Sequence, residues 1–90
     1  MATKNIEIEK GDWQDLITLG ELTLEANKPY AISIIGSKYS EVCLDNSEPA
    51  DDTKGHPIVE GTNLTFVYDN EKIWIKLGET DSQTAIVVIS

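Results

Sequence analysis

The strongest constraint on this chain is the spacing of its apolar residues, which recur at every second position in one short run after another. Ile6 and Ile8 alternate with Asn5, Glu7 and Glu9, and Leu22 and Leu24 alternate with Glu21, Thr23 and Glu25. Tyr30, Ile32 and Ile34 share one face of the next run, and Val42 and Leu44 follow. Leu64, Phe66 and Tyr68 alternate with Asn63, Thr65 and Val67 before Ile73, Ile75 and Leu77, and the run from Thr84 to Ile89 closes the chain. Side chains on extended backbone point alternately to opposite faces, so each run predicts a strand with one face in a core. Lys10-Gly11-Asp12, Asn27-Lys28-Pro29 and Gly36-Ser37-Lys38 punctuate the runs with turn chemistry, and Asp69-Asn70 reads as a two-residue turn into Ile73. Only the window from Asp12 to Leu19 has mixed spacing. Trp13, Leu16, Ile17 and Leu19 suit one turn of helix or an irregular strand there, and strand is the expectation.

Seven or eight short strands in 90 residues leave no room for helical crossovers. The predicted class is therefore all-β, as a small antiparallel β-sandwich or barrel of jelly-roll-like type. One domain over residues 1–90 is expected, with 1–10 as an edge strand or an N-terminal arm.

Two strands break the alternation. Ala85-Ile86-Val87-Val88-Ile89 is apolar on both faces, and Ile73-Trp74-Ile75 is nearly so. A strand of this kind exposes a patch unless something covers its second face. Either a long loop covers it or another subunit does. Trp13, Ile73, Trp74, Ile75, Ile86 and Val88 are thus the packing or interface candidates, and a fixed oligomer such as a closed trimer is one expected outcome.

Charge narrows the partners. Seven lysines, no arginine and 16 acidic residues give a net charge of −9. Phosphate-backbone binding draws on Lys and Arg, and base-edge readout draws most on Arg, so nucleic acid is not an expected partner. An anionic membrane surface is disfavoured for the same reason. Met1 is followed by polar Ala2-Thr3-Lys4-Asn5 and no apolar run approaches the roughly 20 residues of a membrane helix, so neither secretion nor membrane insertion is expected. The single Cys43 fits a reducing cytoplasm.

No constellation for catalysis stands out. Asp45, Asn46, Glu48, Asp51 and Asp52 offer oxygens in the long stretch 45–55, but Ala50 occupies the position where a calcium-hand loop needs glycine. A solvated acidic loop is the expectation, with no metal. His56, between Gly55 and Pro57, lacks partners for a zinc site, and no Gly-x-Ser-x-Gly elbow accompanies it. Cys43 stands between Glu41 and Asp45, whose carboxylates raise a thiol pKa, so an activated nucleophile is not expected. No cofactor and no enzymatic activity are expected. Aromatic rows on a sheet can also stack on sugars, which makes Tyr39 and Tyr68, with Trp13, candidates for a ligand platform.

The string Gly55-His56-Pro57-Ile58, Gly61, Leu64-Thr65-Phe66, Lys72-Ile73-Trp74-Ile75-Lys76 and Thr84-Ala85-Ile86-Val87-Val88 resembles small proteins of tailed bacteriophages. A Trp-centred opening such as Trp13-Gln14-Asp15-Leu16 and a strand such as Pro29 to Gly36 fit the same pattern. The resemblance implies a non-enzymatic β-sandwich virion component, made in the host cytoplasm. It would bind capsid or tail subunits, or itself, as a decoration protein. The alternative it implies is a carbohydrate- or receptor-binding module of a tail or head fibre.

Overall fold

A computed structural model describes residues 3–78 and 84–90. Eight strands and one short helix follow in order: β1 (Lys4–Glu9), β2 (Gln14–Asp15), α1 (Leu16–Gly20), β3 (Pro29–Ile35), β4 (Tyr39–Leu44), β5 (His56–Val59), β6 (Asn63–Val67), β7 (Ile73–Leu77) and β8 (Thr84–Ile89). They form two antiparallel sheets of four, sheet A in the order β1-β8-β3-β6 and sheet B in the order β2-β7-β4-β5. Strands β1 and β8, β2 and β7, β3 and β6, and β4 and β5 are hydrogen-bonded pairs. The chain is thus one long antiparallel hairpin with residues 45–55 at its tip, rolled so that β3 meets β8 and β4 meets β7. That is the jelly-roll arrangement of a β-sandwich. The two sheets of this small all-β sandwich enclose one core.

The alternation in sequence becomes the two faces of each sheet. Ile6, Ile8, Tyr30, Ile32, Ile34, Ala85, Val87 and Ile89 of sheet A point inward and are buried. They meet Ser40, Val42, Ile58, Ile73, Ile75 and Leu77 of sheet B. Ser40 is the polar member of this set, and its hydroxyl reaches the Ile58 carbonyl at 3.5 Å.

Three local expectations are corrected. Asp12 to Leu19 is not one strand, because Asp15 ends β2 and caps α1. The Asp15 Oδ1 accepts from the amides of Ile17 (3.1 Å) and Thr18 (3.4 Å), and the Thr18 hydroxyl donates to Oδ2 at 2.8 Å. Glu21 then ends the helix in the left-handed region, at φ 49°. Leu22 and Leu24 do not lie on a strand either. The Leu22 amide bonds the Ile17 carbonyl and the Glu25 amide bonds the Tyr30 hydroxyl, so turn and side-chain partners replace a ladder. The two leucines still pack on the core, which is what their spacing recorded. Asp69-Asn70 makes no hairpin. It lies in the connection that carries the chain from β6 in sheet A to β7 in sheet B, with Asn70 at φ 60°.

Candidate interaction surfaces

The two doubly apolar strands meet different fates. On sheet B the outer face of β7 is covered from within the chain. Residues 45–55 cross it as a strap whose backbone carbonyls serve as acceptors. Trp74 Nε1 donates to the Asp45 carbonyl at 3.0 Å and Trp13 Nε1 to the Ala50 carbonyl at 3.2 Å. Lys76 Nζ donates to the Asp51 carbonyl at 3.0 Å. Lys76 also stands 5.7 Å over the Trp13 ring, and Lys72 stands 5.7 Å over the Trp74 ring. The strap is clipped at its far end, where the Gly55 amide donates to Glu41 Oε1 at 2.9 Å. Trp13 and Trp74 are left only 4% and 8% exposed.

This placement corrects the aromatic platform. Trp13 is not available for stacking, because its ring is buried and its one N–H is spent on the strap. Tyr68 is half-buried and packs against the core, since the end of β6 turns its ring inward. Tyr39 alone of the three stays at the surface, where it lines a groove with Glu41, Asp51, Lys54 and Lys76. Gly78 supports it from below, where any side chain would collide with the Tyr39 ring.

The strap gives the acidic stretch a structural role through its backbone. Its carbonyls hold Trp13, Trp74 and Lys76, and among the described residues no three His, Cys, Asp or Glu side chains converge as metal ligands. His56 is exposed at the start of β5. Cys43 is half-buried on the outer face of β4, opposite Trp74. Burial pushes its thiol pKa up, and the carboxylates of Asp45 and Glu71 push it further.

On sheet A, no described element covers the outer face of β8. Ile86 lies between Glu7 of β1 and Ile35 of β3, and Val88 lies between Asn5 and Ser33. Ile86 and Val88 are half-buried by these neighbours, while Ile35 is 55% exposed. The next rows add Ala31 beside Thr65, and Pro29 beside Val67. Among the strand residues of this face, Glu7 and Glu9 of β1 are the charged ones, in a chain that is 26% charged. The Glu60 carboxylate stands at the opposite corner, accepting from the Gly36 amide beside Ile35 at 2.7 Å. Ile73 and Ile75, the remaining packing candidates, are fully buried in the core. Sequence reasoning grouped all six packing candidates together, but the structure divides them into core (Ile73, Ile75), strap-covered (Trp13, Trp74) and open face (Ile86, Val88). Ile35 and Val67 belong to that open face and were missed, because each lies at the end of its run.

Comparison with known proteins yields no matching family model, no similar curated protein and no matching solved structure.

Proposed function

We propose that this chain is a non-catalytic binding domain that docks on a protein surface through the outer face of sheet A, as a decoration or accessory component of a tailed-phage virion. The observation that carries the reading is the patch of Ile35, Ile86 and Val88, which no described element covers. Interface cores are depleted of charge, and this face carries its acids at its margins, on β1 and at Glu60 beside Gly36. An eleven-residue strap covers the equivalent strand on sheet B, whereas among the described residues nothing covers the outer face of β8, and a partner would use that face. The resemblance to phage proteins supplies the virion as the surface.

The test is Ile35→Lys, which places a charge in the patch without touching the core. Immunogold labelling of particles assembled from the encoding genome is expected to find the wild-type protein on virions and the variant absent, at an unchanged melting temperature. Particles never labelled by the wild-type protein would overturn the virion reading. Particles labelled equally by both would overturn the assigned face.

A carbohydrate-binding reading keeps one observation in its favour: Tyr39 beside the carboxylates of Glu41 and Asp51 in an open groove. Glycan-array binding lost in Tyr39→Ala would carry it, and an array without signal would remove it.

A further inference from the structure

A sheet that ends at an exposed edge offers unpaired N–H and C=O groups to any strand that fits, and proteins usually block such edges. Three of the four edges here are blocked by recognisable means. Strand β1 carries Lys4, Glu7 and Glu9, β2 is two residues long, and β5 carries Pro57. Strand β6, Asn63-Leu64-Thr65-Phe66-Val67, has no charge, no proline and no glycine. The direction of its backbone groups follows from its neighbours. Ala31 exchanges both of its bonds with Ser90, on the β8 side, so its partner Thr65 bonds nothing on β3. The Tyr68 amide bonds the Lys28 carbonyl, which fixes the same parity from the other end. Asn63, Thr65 and Val67 therefore aim their N–H and C=O groups outward, and among the described residues nothing bonds them.

The side chains of β6 are unfinished in the same direction. Every inward residue of β1, β3 and β8 from Ile6 to Ile89 is buried, yet Leu64 and Phe66 of β6 remain half-buried. Val67, on the outer face, is the most exposed of the large apolar residues, at 59%.

We infer that β6 pairs antiparallel with β6 of a second copy, on a two-fold axis through Thr65, joining two copies of sheet A into one eight-stranded sheet. The sequence suits this register. Thr65 faces Thr65 of the second copy, a favourable cross-strand pair, and Leu64 faces Phe66, which covers what each leaves exposed. Despite the net charge of −9, no acid meets an acid: Asp69 falls opposite Gly61, and Glu60 opposite Asn70. A head-to-tail joint of β6 to β1 would instead meet the charged edge and would propagate without closing unless its rotation closed a ring. The inference does not depend on a virion partner, because it uses the edge of sheet A and not the Ile35 patch.

Sedimentation velocity across the micromolar range tests it. The wild-type protein is expected to pass from monomer to dimer as concentration rises, and a monomer throughout would overturn the inference. Thr65→Pro removes an outward N–H that the β3 ladder does not use, and Thr65→Lys places like charges opposite each other. Each is expected to weaken the dimer by at least about tenfold, with Ile35→Lys leaving it intact. A dimer insensitive to Thr65→Lys would overturn it. Register is read separately by oxidation in a Cys43→Ser background. Thr65→Cys is expected to cross-link into covalent dimer, whereas Asn63→Cys, which faces Val67, is expected not to, and the reverse order would overturn the two-fold through Thr65.

Discussion

Cys43 shows how a single side chain here is set by what lies beside it. It faces outward on β4, but Trp74 stands opposite and the strap begins two residues later, so water is partly excluded. Burial first, and then the negative charges of Asp45 and Glu71, disfavour the thiolate and raise the pKa. Two outcomes follow from that direction. At pH 7.5 the folded protein is expected to react with a disulfide reagent more slowly than the same protein in urea, and Asp45→Asn is expected to speed the folded reaction. Ellman kinetics would show it, and equal rates folded and unfolded would contradict it. The linkage has a definite sign. A group with a raised folded pKa contributes its full stability below the unfolded thiol pKa, so nothing is lost at neutral pH. The contribution falls as pH rises through the ordinary thiol range toward the raised folded value. Asp45 was legible in sequence, two residues away along the chain; Glu71 was not, and Glu41, the other carboxylate expected to act, accepts from the Gly55 amide instead. Half-burial of Cys43 follows from its place between Val42 and Leu44 on a strand, whereas the Trp74 opposite it is near only after β4 and β7 pair.

At the scale of an element, the strap is the part of the molecule that sequence alone described least well. Its length and acidity mark it as a loop, but its backbone does the holding and its acidic side chains do not. Backbone acceptors leave no trace in composition. What composition does carry is the glycine at the strap's end. A Cβ on Gly55 would lie 2.8 Å from the Val42 carbonyl oxygen and 2.9 Å from the Trp13 ring. The carbonyl belongs to the β4 ladder and cannot retreat, so the strap would have to lift. Gly55→Ala is expected to cost about 1–3 kcal/mol, seen as a lower urea midpoint at unchanged slope, with red-shifted tryptophan emission as Trp13 meets water. An unchanged midpoint would mean that the strap end is loose. The other elements were legible in proportion to their regularity. Strands β1, β3, β4 and β6 follow their alternation, β7 and β8 stand out as runs apolar on both faces, and short β5 follows its glycine and proline. The run at Leu22 and Leu24 has the same period without a ladder, because alternation reports extended backbone facing a core and is silent on pairing. The turn of α1 was ambiguous for the opposite reason: five residues are too few for a helical period to separate from a strand, and only the Asp15 cap decides.

For the whole molecule the deciding quantity is charge. A net −9 on a chain this small repels itself, and the described ion pairs do little to offset it. Glu25 and Lys28, 2.7 Å apart, are both well exposed, and Lys72 stands 3.9 Å from Asp15. The fold is held by the sandwich core and by the strap, against a diffuse repulsion that salt screens over a Debye length of about 10 Å at 0.1 M. Raising sodium chloride from about 20 mM to about 0.5 M is therefore expected to raise the melting temperature by a few degrees, where a fold held by surface ion pairs would lose stability. Chloride is the salt to use, since sulfate would stabilise burial by exclusion whatever the charges do. The same screening separates the two surfaces. Pairing of β6 with β6 brings together two equally negative bodies through an uncharged seam, so salt should tighten it. A docking face chosen by a basic partner should weaken with salt instead. Two salt titrations, one of self-association and one of attachment to particles, are thus expected to slope in opposite directions wherever the partner surface is basic. A self-association that weakens with salt would mean that charge pairs, absent from the β6 seam, hold the copies together.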